Sequence, residues 1–249
     1  MKEDCSRTDW LPHPTPLDFQ SRQVDVWRIT LDLPPATVKF LESTLLEDEA
    51  QRAGRFHFEK DKSSYIIAHG CLRDILSRYL RCEPRELSFD IDEYGKPSIK
   101  GHKLEFNLSH SGDFALIAVS RERKVGVDVE RIRSDLELES MASRFFSPTE
   151  VSELAALPPK QRKLAFFNCW TRKEAYIKAQ GLGLSLPLDS FDVSLTPNEP
   201  AILRATRPDA QEASCWTLFS LEVAHNYAAA LAVEGRGLKL RLWDWNTSI

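Results

Sequence analysis

Val125-Gly126-Val127-Asp128-Val129-Glu130 is the stretch on which the reading of this chain turns. In an extended strand, residues two apart point to the same side. Val125, Val127 and Val129 therefore face a core, while Asp128 and Glu130 share the opposite face. Two neighbouring carboxylates repel unless something cationic sits between them. A hard divalent cation such as Mg²⁺, which prefers oxygen ligands, relieves that conflict. Gly126 inside the strand marks the close approach of a ligand or of another backbone. Read alone, the same six residues also suit a half-exposed strand with acids on its wet face.

Upstream, turn-like Tyr94-Gly95-Lys96-Pro97 and Ser111-Gly112-Asp113 separate short strands expected over 87–91, 103–108 and 114–120. Before them, Tyr65, Ala68, Leu72, Ile75, Leu76 and Tyr79 recur at helical spacing, which predicts a long helix over 59–80, with Pro84 as its stop. Pro34-Pro35 opens a shorter helix to about residue 46. Alternating Val24, Val26 and Ile29 predict a strand over 24–31, behind an extended arm, 1–22, that carries Pro12, Pro14 and Pro16.

Downstream, helices are expected over 136–145, 148–156 and 159–180, the last stopped by Gly181, Gly183 and Pro187. Strands over 191–195, 216–223 and 227–233 close the chain. Helices and strands come in mixed runs, so the pattern predicts α+β instead of a doubly wound sheet. Each half holds a long helix and several antiparallel strands, a hint of duplication. The polar run 121–124 divides an N-terminal half, 1–122, from a C-terminal half, 123–249.

The 249 residues suffice for one large or two modest domains, and 42% hydrophobic with 28% charged residues is ordinary for a globular chain. A net charge of −4 gives no argument for nucleic acid as a partner. No apolar run reaches the roughly 18–20 residues of a membrane span, and Met1-Lys2-Glu3-Asp4 does not read as a secretory signal. The five cysteines Cys5, Cys71, Cys82, Cys169 and Cys215 are odd in number and widely spaced, which argues against a disulfide framework and a structural zinc site. Together these features point to the cytoplasm.

Four further segments carry groups suited to chemistry. In Trp170-Thr171-Arg172-Lys173-Glu174-Ala175-Tyr176-Ile177-Lys178, residues Trp170, Glu174, Ile177 and Lys178 share one helix side, so Glu174 and Lys178 either edge a packed groove or form a solvated i, i+4 pair. Asn107-Leu108-Ser109-His110-Ser111-Gly112 ends a strand with groups that suit phosphate, although a plain hairpin fits as well. Ser109 and His110 are adjacent on a strand and point apart, so they are poorly placed to share a proton. Gly95-Lys96-Pro97 presents one lysine on a restrained turn. Arg52, Arg55, His57, Lys60 and Lys62 gather around the start of the long first-half helix, an end that favours anions, or simply form a solvated face.

In order and spacing these segments resemble the 4′-phosphopantetheinyl transferases of the Sfp type. The family strand [VI]-G-[VI]-D-x-E matches 125–130, and its W-[ST]-x-K-E-[AS]-x-x-K helix matches 170–178, with Lys173 45 positions beyond Asp128. A G-K-P turn matches Gly95-Lys96-Pro97, an F-N-x-S-H-S strand matches 106–111, and Gly181-Leu182-Gly183-Leu184-Ser185-Leu186-Pro187-Leu188 also looks familial. The resemblance runs from about Arg55 to Val233.

It implies two similar α+β halves with pseudo-twofold symmetry, each a small antiparallel sheet packed on a long helix, with coenzyme A in the cleft between them. It implies transfer of phosphopantetheine from coenzyme A to a serine of an apo acyl, peptidyl or aryl carrier protein, releasing adenosine 3′,5′-bisphosphate. By position, Asp128, Glu130 and Glu174 would hold Mg²⁺, with Mn²⁺ as an alternative. Ser109 and His110 would contact phosphates, Lys96 the nucleotide and Lys178 the pyrophosphate, with Gly95, Pro97 and Lys173 also in the coenzyme A site. Glu174 and Lys178 are the expected catalytic pair. The chain departs from the pattern at Ser63 and Ser64, where basic residues are common, and at Glu49, so the 3′-phosphate would fall to Arg52, Lys60 and Lys62. Two halves in one chain suggest a monomer, with no nucleic acid or membrane partner. Rival readings are a phosphatase or nuclease built on the same carboxylates, and a non-catalytic coenzyme A- or carrier-binding module.

Overall fold

The computed structural model describes residues 9–14, 17, 19, 20, 22–207 and 209–246. Cys5, Pro16 and most of the expected arm lie outside them. In chain order the strands of the N-terminal half are β1 (Leu11–Pro12), β2 (Gln23–Thr30), β3 (Phe89–Ile91), β4 (Pro97–Ile99), β5 (Leu104–Ser111) and β6 (Phe114–Arg121). Its helices are α1 (Pro35–Thr44), α2 (Glu47–Ala53) and α3 (Glu59–Leu80). The C-terminal half has β7 (Val125–Arg131), α4 (Leu138–Phe145), α5 (Pro148–Ala156), α6 (Pro159–Gln180), β8 (Phe191–Val193), β9 (Leu203–Thr206), β10 (Trp216–Ser220), β11 (Tyr227–Glu234) and β12 (Lys239–Asp244).

The two halves repeat one connectivity. In each, a first strand leads to a 22-residue helix, then to an antiparallel pair whose second strand returns beside the first. The results are the orders β2-β6-β5 with α3, and β7-β11-β10 with α6. The α+β expectation holds, with small antiparallel sheets on long helices. One strand breaks the antiparallel rule: β12 lies parallel to β2 and also parallel to β1, giving the order β1-β12-β2-β6-β5. A C-terminal half of 123–249 thus lends its last strand to the N-terminal sheet. Buried Asp25 holds it there, accepting from Arg241 Nε and Nη2, both at 2.8 Å.

Period-2 alternation builds three apolar layers from these strands. Trp27 and Ile29 of β2 and Ala115, Ile117 and Val119 of β6 pack under α1 and α3. Ala228, Ala230 and Ala232 of β11 pack against α6. Between the two sheets, Val24, Val26, Leu116 and Ala118 meet Val125, Val127, Val129, Leu231 and Val233. β6 and β11 are thus buried on both faces, which is why their sequences read as nearly continuous apolar runs.

Pro84 does not end α3. The helix stops at Leu80 because Arg81 adopts a left-handed φ of 56° and its N–H closes on Ser77. Pro84 instead opens a single 3₁₀ turn.

Candidate active site

Gly126 sets how closely α6 lies on β7. A Cβ there would overlap the Ala175 carbonyl oxygen and the Ala179 amide nitrogen, so the close approach is that of another backbone, not a ligand. With α6 pressed onto this face, the next two residues along it, Asp128 and Glu130, come up beside Glu174 and Lys178, one helical turn apart on α6. Valines on the other face tie β7 into the sheet–sheet core.

Asp128 is only 3% exposed. Its Oδ1 accepts from Lys178 Nζ at 2.6 Å and from Ser109 Oγ at 2.9 Å. Its Oδ2 is buried and has no hydrogen-bond partner among the described residues. Burial raises the Asp128 pKa, against the opposing pull of Lys178 and Ser109. Glu130 accepts from Ser111 Oγ at 2.9 Å; desolvation first, then the Asp128 charge, raises its pKa. Glu174 makes no hydrogen bond or ion pair among the described residues, and desolvation followed by the Asp128 charge raises its pKa too. Lys178 therefore pairs across the seam with Asp128, not with Glu174 on its own helix.

Three carboxyl groups held above their ordinary range around one ammonium form a site short of positive charge. An unpartnered buried carboxylate oxygen in an all-oxygen donor set suits a hard cation such as Mg²⁺. Among the described residues, however, no three acidic, histidine or cysteine side chains converge as a ready-made metal cluster.

A cleft of about 580 Å³ lies on the N-terminal side of this seam, within the usual range for small-molecule sites. Arg52 of α2, Tyr65, His69 and Arg73 of α3, Gly95 and Pro97 of the turn, and His110 of β5 all line it. The Tyr65 and His69 rings stack at 4.0 Å, and Arg52 lies over Tyr65 at 5.7 Å. Burial lowers the His69 pKa to about 4. Glu49 is no hole in the basic lining, because Arg73 Nε donates to it at 2.6 Å.

Several expected ligands sit elsewhere. Lys173 is fully buried, pairing with Glu150 at 2.8 Å and donating to the carbonyls of Leu188 and Phe191 at 2.7 and 2.6 Å. It points from α6 into the interior, where its ammonium is taken up by Glu150 and two backbone carbonyls. Lys96 turns away from the cleft that its neighbours line and donates to Ala179 O at 2.9 Å, closing a carbonyl at the end of α6. Ser109 and His110 part company as alternation requires: His110 faces the cleft, while the Ser109 hydroxyl is engaged inside the seam. Lys60 is exposed, 3.7 Å from Asp113, and neither it nor Lys62 lines the cleft.

Sequence reasoning missed α2, because Glu47–Ala53 buries only Ala53 and shows no apolar stripe. It also missed β12, although Leu238, Leu240 and Leu242 alternate with Lys239 and Arg241. The i, i+4 spacing of Tyr65 and His69 was a usable signal for that wall of the cleft.

A family model described as 4′-phosphopantetheinyl transferase superfamily matches residues 124–232, and another, described as 4′-phosphopantetheinyl transferase, N-terminal, matches residues 34–122. The 4′-phosphopantetheinyl transferase HetI of a Nostoc species is 41% identical over 240 residues, covering 95% of this chain and 98% of that protein. The 4′-phosphopantetheinyl transferase Sfp of Bacillus subtilis is 35% identical over 154 residues, 61% of this chain and 67% of that protein. The crystal structure of Thermotoga maritima holo-acyl-carrier-protein synthase aligns at a TM-score of 0.36 and 22% identity, over 45% of this chain and 62% of that one.

Proposed function

The chain belongs to the 4′-phosphopantetheinyl transferase superfamily and is an enzyme of that class, and on that premise we propose how its residues divide the work. Enzymes of this family act on carrier proteins with coenzyme A as the substrate. Here the phosphopantetheine arm passes to a serine hydroxyl of an apo acyl, peptidyl or aryl carrier protein, and adenosine 3′,5′-bisphosphate leaves.

The 580 Å³ cleft takes the nucleotide end of coenzyme A, with Arg52 and His110 as its phosphate contacts and Gly95 and Pro97 along its wall. Asp128, Glu130 and Glu174 are the candidate ligands of Mg²⁺, or of Mn²⁺ in its place. When bound, that ion supplies neutralisation of the pyrophosphate charge. The observation that carries the metal reading is the buried, unpartnered Oδ2 of Asp128.

The attacking oxygen of the carrier serine forms a bond to the β-phosphorus of coenzyme A. The bond from that phosphorus to the oxygen bridging it to the adenosine 3′,5′-bisphosphate portion breaks. Glu174, which makes no hydrogen bond or ion pair among the described residues, accepts the serine proton. Lys178 gives two of its three N–H groups to Ser109 and Asp128. The third is directed to charge growing on the leaving oxygen.

Two similar halves in one chain favour a monomer. The net charge of −4 and the lack, among the described residues, of a helix long and apolar enough to cross a membrane accord with a carrier-directed enzyme of the cytoplasm.

The test is to incubate the protein with coenzyme A, Mg²⁺ and several apo carriers and to weigh the carriers by intact-mass spectrometry. The expected result is a phosphopantetheine-sized gain, lost with EDTA and lost when the carrier serine is alanine. No gain on any carrier, from folded protein that binds coenzyme A, would leave a binding module instead.

A further inference from the structure

β7 is hydrogen-bonded to β11 along one edge only. In an antiparallel pair, every second residue turns its N–H outward, so β7 presents the N–H groups of Val127, Val129 and Arg131 along its other edge. Among the described residues, no backbone strand takes them. Three side chains of β5 do: Asn107 Oδ1 accepts from Val127 at 2.9 Å, Ser109 Oγ from Val129 at 3.4 Å and Ser111 Oγ from Arg131 at 3.1 Å. Each rung spans 20 residues, a ladder made of side chains where a sheet would use carbonyls.

The ladder's far end is pinned. Asp113 N donates to Tyr227 Oη at 2.9 Å, and Gly112, at a φ of 60°, has no room for a Cβ beside that hydroxyl and Arg131. The hairpin turn of one half is thus seated on β11 of the other.

The rungs are not equivalent. Ser109 and Ser111 accept an N–H and also donate, Ser109 to Asp128 Oδ1 and Ser111 to Glu130 Oε2, both at 2.9 Å. Each hydroxyl therefore holds a carboxylate and the backbone N–H of the residue that follows it. Asn107 takes an N–H alone. We propose that Ser109 and Ser111 are positioning residues for the reaction, fixing the rotamers of Asp128 and Glu130 from across the seam and so aiming their remaining oxygens at the cation. The assignment rests on the metal reading of those two acids. It also gives the strand pattern Asn107-x-Ser109-x-Ser111 a purpose apart from phosphate contact.

Second-tier partners that orient metal-binding carboxylates commonly account for 10- to 100-fold in metal affinity. Mn²⁺ titrations of the full chain in saturating coenzyme A, read by electron paramagnetic resonance, measure this directly. Ser111→Ala, at the half-exposed end of the ladder, is expected to weaken Mn²⁺ binding roughly tenfold or more, and Ser111→Thr to restore it. Ser109→Ala should do the same where it folds. Asn107→Ala breaks a rung that holds no carboxylate, so with coenzyme A saturating, which offsets any loss at the cleft that Asn107 also lines, it should lower the unfolding midpoint while leaving Mn²⁺ affinity within about twofold. If Ser111→Ala loses no more affinity than Asn107→Ala, the serines only splice the halves and the proposal is wrong. Asp128→Asn and Glu130→Gln separate the two ideas. If they abolish Mn²⁺ binding while Ser111→Ala leaves it unchanged, the positioning role alone fails. If neither affects Mn²⁺ binding, the metal reading fails and the proposal with it.

Discussion

Lys178 Nζ lies 2.6 Å from Asp128 Oδ1, an ion pair between α6 and β7 with Asp128 4% and Lys178 28% exposed on their side chains. The ammonium offsets part of the cost of burying Asp128, and in the proposed mechanism it is also the group that meets the pyrophosphate charge. On that proposal, stability and catalysis share one contact.

That sharing makes the two roles separable by mutation. Asp128→Asn keeps the shape and relieves the buried charge, so it should fold at least as well as the parent while turnover falls by about two orders of magnitude or more. Lys178→Ala should lower kcat and also lower the unfolding midpoint, since it leaves Asp128 buried and unpaired. Lys178→Ala combined with Asp128→Asn should recover stability but not activity. Urea unfolding with steady-state kinetics checks all three, and near-parental turnover of Asp128→Asn in Mg²⁺ would refute the metal assignment.

Lys173 lies in the same motif as Lys178 but behaves as a core residue. Replacing it with alanine strands Glu150, which also accepts the N–H of Ser147 at 2.9 Å and of Val193 at 2.8 Å. The expected loss is about 3–5 kcal/mol of stability, with the KM for coenzyme A unchanged in whatever fraction remains folded. A KM rise of tenfold without loss of stability would return Lys173 to the binding site.

Gly126→Ala is expected to be more damaging than most alanine substitutions in a strand. The new methyl meets α6 backbone, which cannot rotate aside as a flexible side chain can. Overpacking of this kind costs roughly 1–3 kcal/mol, and it would push Glu174 and Lys178 away from Asp128. The prediction is a lowered midpoint together with a kcat loss of at least tenfold; unchanged kinetics would show that the groove tolerates a looser helix.

His69 supplies a pH signature. Its folded pKa of about 4 lies below the ordinary value of 6.5 because burial disfavours the imidazolium. The unfolded chain therefore takes up this proton first as pH falls, and the stabilising contribution, complete above about 6.5, is lost progressively down to about 4. At about 1.4 kcal/mol per pKa unit the loss amounts to roughly 3.5 kcal/mol at most. Urea midpoints measured from pH 7 to pH 4 should fall less steeply in His69→Gln, and parallel slopes would mean that His69 is not the group responsible.

How much of this was legible beforehand depended on how local the information was. The helix at 59–80 follows from an apolar stripe within one segment, and the 3.6-residue repeat needs no other part of the chain to be visible. Likewise Val125, Val127 and Val129 announce the buried face of β7, and Asp128 with Glu130 the opposite one. By contrast, nothing near Lys173 in sequence says that it turns inward to Glu150, and nothing near Lys96 says that it reaches Ala179. A lysine's direction is set by what lies across the gap.

The sequence by itself determined the type of most elements, α2 and β12 excepted, the α+β class and the residue types from which the site is drawn, because periodicity and spacing along the chain record which face of each element is buried. Only the tertiary structure decided that β12 returns to the N-terminal sheet, that Lys178 pairs with Asp128 instead of Glu174, and that Ser109 and Ser111 hold β7 from β5. Those facts depend on contacts between residues 20 to 216 positions apart. Hydrogen bonds and ion pairs are short-range and directional, so they come into being only once the layers have packed.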